Sequence, residues 1–145
     1  MDNRTAPYAA LVLRLGLGAL FLAHGLTKLL VFTPAGTAAF FGKLGLPPTL
    51  AYLVMLGELA GGLAMVPGVW TRWVAVALTP ILIGAIVTVH GANGWMFASP
   101  GGGWEFIAFW IVGLVCQALL GDGAFALALP FGHAATGRSA VRPAE

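Results

Sequence analysis

Six ionisable side chains stand inside or at the ends of long apolar runs: Arg14, His24, Lys28, Glu58, His90 and Glu105. Away from water such groups are expensive, so each needs a partner, a cavity or the loss of its charge. Glu58 is the sharpest case, because the run LAYLVMLGELAGGLAM gives its carboxylate no nearby polar boundary. It must be protonated, paired or turned to a cavity. On a helix turning about 100° per residue, Arg14, Phe21, His24 and Lys28 fall on one stripe. Arg14 is the partner this reading assigns to Glu58, across an axial offset of about 7 Å at 1.5 Å per residue.

His24, Lys28, His90 and Glu105 share a depth near the other end of their helices, where three helices could bring them together. Imidazole and ammonium groups donate hydrogen bonds and a carboxylate relays protons, which suits a polar head group. Two histidines and a carboxylate could bind a metal in principle, but the spacing carries no metal motif and no metal is expected. Simpler readings stand beside these. Lys28 and Arg14 could reach toward opposite surfaces, and His90 could be an interfacial histidine. An Arg14–Glu58 pair could also do no more than fix helix register.

The elements that carry these residues must be hydrophobic helices. The chain has 145 residues, 59% hydrophobic and only 8% charged, with a mean hydropathy of +0.93. An ordinary soluble domain is roughly 25% charged. Seven basic and five acidic residues cannot cover a water-soluble domain, and a chain this apolar is not disordered. A net charge of +2 is too sparse for the basic stripe that nucleic acid demands. The single Cys116 can form no internal disulfide.

Four stretches, near 8–30, 50–67, 73–91 and 104–121, approach the ~20 apolar residues needed to cross a bilayer. None alternates as barrel strands do. The expected fold is therefore all-α, an integral membrane four-helix transmembrane bundle. VFTPAGTAAFFGKLGLPP, PGVWTR and GANGWMFASPGGG read as the breaks between spans. Pro80 is expected to kink its helix and free a carbonyl. Gly57 and Gly61, four apart beside Glu58, allow close helix approach. Gln117 and Cys116 read as packing groups. The glycines at 101–103 lack a following Lys and form no phosphate loop. Beyond 121 a short Gly-flanked apolar stretch runs to Pro130.

Arg4 and the run behind it resemble a signal peptide. Arg14 interrupts that run and no small-x-small cleavage site follows, so the segment is expected to stay as a span. Arg4, Arg72, Arg138 and Arg142 fall on one side of such a bundle, against Lys43 and Lys28 on the other. Both termini are therefore expected in the cytoplasm, with the protein in a plasma membrane of the bacterial inner-membrane type. The aromatics agree, with Tyr8, Trp70 and Trp73 at one interface and Tyr52, Trp95 and Trp104 at the other.

The blocks RLGLGALFLAHGLTKL at 14–29 and GELAGGLAMVPGVWTR at 57–72 resemble the DoxX family of small membrane proteins. His90 closing the third span, Glu105 opening the fourth and LLGDGAFAL at 119–127 are similar to it too. Asp122 departs from the family pattern, which usually has Pro there, and Phe125, Ala126 and Leu127 replace its Ser-Leu-acidic ending. The resemblance covers roughly residues 8–128. It implies one DoxX-like four-helix membrane domain over 1–128, and the basic tail over 129–145, which lacks periodicity, is expected to be mobile. Some members resemble the DoxD subunit of thiosulfate:quinone oxidoreductases, and others are membrane partners of redox or thiol-stress enzymes. The implied chemistry is quinone-linked or accessory to an oxidoreductase, and Arg14, His24, Lys28, Glu58 and His90 match the family's polar pattern.

Three functions compete. The first is a membrane subunit of a redox complex that docks a quinone head group, with His24, Lys28 and His90 as donors and Glu58 as proton relay. No metal, flavin or haem site is evident, nor a Ser/His/Asp or Cys/His nucleophile, so a redox partner protein would supply the redox centre. The second is a non-catalytic anchor or scaffold for a partner protein. The third is a small proton-coupled transporter built on Glu58, which Arg14 and Lys28 disfavour for cationic cargo. Membrane lipid is a partner in every case, a homodimer is compatible with the small-residue faces, and nucleic acid is not a partner.

Overall fold

The computed structural model describes residues 4–127. The tail expected over 129–145 lies outside the described residues. Among the described residues the chain is all helical, with five α-helices: α1 (Ala6–Leu26), α2 (Pro34–Lys43), α3 (Leu50–Met65), α4 (Thr71–Ala85) and α5 (Glu105–Leu120). The four apolar stretches carry α1, α3, α4 and α5. α2 corrects the four-helix expectation, because it forms inside a stretch that reads as a break.

The reason lies in its caps. Thr33 accepts a hydrogen bond from the Gly36 amide at 3.2 Å, and Pro34 follows at the first helical position, where its missing N–H costs nothing. At the other end the Leu46 amide donates to the Phe41 carbonyl at 3.0 Å and the Gly45 amide to Gly42 at 3.1 Å. That is the paired closure of a helix on a left-handed glycine, and Gly45 has φ +77°. Pro and Gly therefore punctuate this helix rather than exclude it.

α1 and α4 both widen at their last turn. Residues Thr27–Val31 and Ile86–His90 are π-helical, and the Phe32 amide reaches back five residues to the Thr27 carbonyl at 3.0 Å. Counting these turns, the helical segments Ala6–Val31 and Thr71–Asn93 are 26 and 23 residues long and apolar enough to cross a membrane. α4 is helical on both sides of Pro80 from Thr71 to Ala85, and the Thr79 hydroxyl beside it donates to the Ala75 carbonyl at 2.9 Å.

α1 packs most closely on α3 and α4 on α5, while α1–α5 and α3–α4 contacts close the ring. The shared core includes Leu17, Phe21, Met65, Leu78, Trp110 and Leu114. Glycine sets the α1–α3 distance. A Cβ on Gly62 would lie 2.9 Å from the Gly18 carbonyl oxygen, and one on Gly25 would lie 2.8 Å from Leu59. Gly18 and Gly25, seven apart, keep to one stripe of α1. This contact brings the polar stripe of α1 against α3.

Candidate functional site

Lys28 lies in the π turn that extends α1, three residues past Gly25. A Cβ on Gly25 would sit 3.3 Å from the Glu58 Cβ, so the bare glycine lets the two backbones meet here. Lys28 Nζ donates to both carboxylate oxygens of Glu58, at 2.7 Å and 2.8 Å. Glu58 is 3% exposed and the Lys28 side chain 21%. The carboxylate therefore has its counterion, and the partner is Lys28. This corrects the assignment of Arg14 to Glu58. The stripe placed both cations on the right face of α1, but the Gly25 contact puts Lys28 at the carboxylate's level.

Lys28 also borders a cavity of about 430 Å³ between the π turn and α2, lined with it by Phe32, Gly36, Thr37, Phe40 and Phe41. Its wall is apolar except at Lys28 and Thr37. The Thr37 hydroxyl points to the carbonyls of Thr33 at 3.0 Å and Lys28 at 3.3 Å, which ties α2 to the turn. An ammonium has three N–H donors and no acceptor. Glu58 takes two of them, so the count leaves one N–H over. Thr37 and α2 belong to this site although sequence reading passed over them; the Thr33–Pro34 pair is the signal that marks them.

Arg14 has a different setting, near the middle of α1 and fourteen residues before Lys28. It is 2% exposed and donates to the main-chain carbonyl of Asp122. The Asp122 carboxylate accepts from the Thr71 amide at 2.9 Å and the Thr71 hydroxyl at 2.6 Å. It thus caps the N-terminus of α4, where a negative charge is favoured. Gly68, at φ +82°, makes room for the guanidinium, since a Cβ there would lie 2.5 Å from its nitrogen. Two more main-chain bonds fasten the closing segment: Ala124 to Pro7 at 2.9 Å and Leu127 to Pro67 at 3.0 Å. Sequence reading singled out Asp122 only as a departure. Its signal was a carboxylate directly after an apolar span, on the same side as Arg14.

The remaining candidates do not join Lys28 and Glu58 in one cluster. His24 is exposed, with Nδ1 at 2.9 Å from the Leu20 carbonyl and its ring 4.9 Å from that of Trp110. His90 ends the π turn of α4, with Nδ1 at 2.9 Å from the Gly102 carbonyl. Asn93 donates to Gly101 and Gly102 in the same loop. The Glu105 carboxylate accepts from the Phe97 amide at 2.8 Å. His90 and Glu105 thus brace the 91–104 connection. Among the described residues no three His, Cys, Asp or Glu side chains gather as a metal cluster.

The DoxX family model matches residues 9–91, more than half of the chain. The chain belongs to the DoxX family. The match takes in α1 to α4 and therefore both Lys28 and Glu58; α5 and the closing segment lie beyond it. The chain is 41% identical over 87 residues to a Bacillus subtilis (strain 168) protein named "Putative oxidoreductase CatD". That alignment covers 60% of this chain and 63% of the relative, so the chain spans less than two thirds of that DoxX-type protein. No solved structure matches the chain significantly.

Proposed function

We propose that this DoxX-family chain is an integral membrane protein that docks a quinone head group at Lys28, as the membrane subunit of a redox complex. The observation that carries the reading is the third N–H of Lys28, left over by Glu58 at the edge of an apolar cavity. A quinone carbonyl is an acceptor without charge, and the Lys28–Glu58 pair is neutral as a unit, so docking leaves the charge balance intact. Phe32, Phe40 and Phe41 supply the apolar walls for the ring, and Glu58 holds the ammonium in place. When bound, a quinone supplies a carrier of two electrons and two protons that is soluble in lipid. The name of the CatD relative supports a redox role.

The membrane setting rests on the surface. Val12, Leu53, Val87 and Phe109 are all more than 60% exposed, one on each of the four long elements, and a lipid surround removes that cost. In this reading α1, α3, α4 and α5 span, while α2, ten residues long, lies at one interface. Arg4 and Arg72 support an orientation with the Arg14 end in the cytoplasm.

The test is quinone binding by purified protein in lipid nanodiscs. Wild type is expected to retain a short-tailed benzoquinone at micromolar Kd, and Lys28→Met to weaken it at least tenfold. Loss of one charge-assisted hydrogen bond, about 1.5–3 kcal/mol, corresponds to that range. Equal binding by both proteins overturns the assignment to Lys28. No binding by wild type overturns the quinone and favours an anchor.

A further inference from the structure

Lys28 lies close to one end of the bundle and reaches Glu58 halfway along α3, and the surroundings of the pair differ above and below. Tyr8 and Lys28 are separated by about 30 Å of helix at 1.5 Å per residue, which matches the ~30 Å of a bilayer's hydrocarbon core. With Tyr8 at one interface, Lys28 stands at the other. The cavity beside it is walled by Phe32, just after the π turn, and by α2; Phe32 is 60% and Phe40 46% exposed. Toward the opposite end, the α1–α3 seam is closed by backbone contact at Gly62 and Gly18. Leu17 and Phe21 are buried beside it. Beyond them Arg14, Asp122 and Thr71 bind one another.

We infer that the Lys28 cavity is served from one side only: its ligand enters from the leaflet on the α2 side, and the pair exchanges protons with the water on that side. This rests on the membrane reading above and adds the route. In the orientation given by Arg4 and Arg72, the α2 side is extracytoplasmic. The apolar seam and the Arg14 contacts separate the pair from the cytoplasmic face. A redox protein whose chemistry releases or takes up protons at this site therefore does so outside the cell membrane's inner face.

Cysteine accessibility in the full-length protein tests it. Cys116 is first replaced by Ala. A Cβ at Gly36 meets one atom within 4 Å, the capping Thr33 hydroxyl at 3.3 Å, which must give by a few tenths of an ångström for Gly36→Cys to put a thiol on the cavity wall. Phe40→Cys is the second probe. Lys43→Cys marks the α2 face and Arg72→Cys the other. A membrane-impermeant thiosulfonate is applied to intact cells and to inverted vesicles. The cavity thiols are expected to react at least tenfold faster from the face that labels Lys43→Cys. A short-tailed benzoquinone is expected to slow them at least threefold. Equal rates from both faces, faster reaction from the Arg72 face, or no reaction of either probe from either face overturns the inference. One-sided reaction with no slowing by the quinone keeps the route and removes the quinone from it.

Discussion

At the scale of single residues, the Lys28–Glu58 pair is a liability unless both partners are present. Separating the charges leaves a carboxylate that is 3% exposed without a counterion. Lys28→Met is expected to destabilise by about 3–5 kcal/mol, whereas Lys28→Met with Glu58→Gln should recover most of the loss. Denaturant unfolding in micelles, run as a double-mutant cycle, reads both. A double variant no better than the single one would mean that the pair is not coupled. Arg14 shows why residue types were easier to read than pairings. Its burial was legible from a cation inside an apolar run, but its acceptor is a main-chain carbonyl at 122. Every residue type offers that carbonyl, proline included, so nothing in the side-chain pattern announces it. The choice between Arg14 and Lys28 for Glu58 depended on a few ångströms of helix offset, which the Gly25 contact fixes and a stripe does not.

At the scale of elements, glycines decide where α1 meets α3. Gly62→Ala would place its Cβ 2.9 Å from a backbone oxygen and 3.0 Å from a backbone nitrogen. Backbone cannot swing aside as a side chain can, so the α1–α3 seam must shift at this contact. Gly16→Ala meets nothing within 4 Å and gains about 1 kcal/mol of helix propensity. The two variants should therefore move the unfolding midpoint in opposite directions; a shared direction would refute the packing argument. The long helices were legible because uninterrupted apolar runs leave little else. α2 was not, because Pro34, Gly36, Gly42 and Gly45 read as a break, although the Thr-Pro start and Gly end are also what cap it. The π turns carried no signal at all: a widened turn is a property of hydrogen bonding, not of composition.

At the scale of the whole molecule, residues 121–127 close the end opposite α2. They touch the first turns of α1, the α3–α4 turn and the start of α4 at once. Ending the chain after Gly121 should therefore harm more than the loss of its few apolar side chains suggests. Arg14 would lose its acceptor and α4 its cap, each about 1–3 kcal/mol. The truncated protein is expected to unfold at lower temperature in micelles than wild type, and Asp122→Ala to fall between them. If Asp122→Ala matched wild type, the carboxylate would have no capping role. Sequence reading did locate the two polar ends of the bundle, since charged residues in apolar runs are rare enough to stand out. It merged neighbours by depth, however, and so joined His90 and Glu105 to Lys28 although the 91–104 connection occupies them.

The π turn at Thr27–Val31 has a consequence for how such a cavity can arise. A π turn holds one residue more than the α turn it replaces. Removing a single residue there would restore ordinary winding, and because four α residues sweep nearly the same angle as five π residues, the chain beyond would keep its direction while the turn beside Lys28 narrowed. Phe32 and the Thr33–Pro34 start of α2 would still leave from the same face of α1, but without the widened turn that carries Lys28. In evolutionary terms, the Lys28 cavity lies within reach of one codon gained or lost in an otherwise plain helix. Length variation at this point among relatives, rather than substitution of the lining, would be the trace of the cavity's gain and loss.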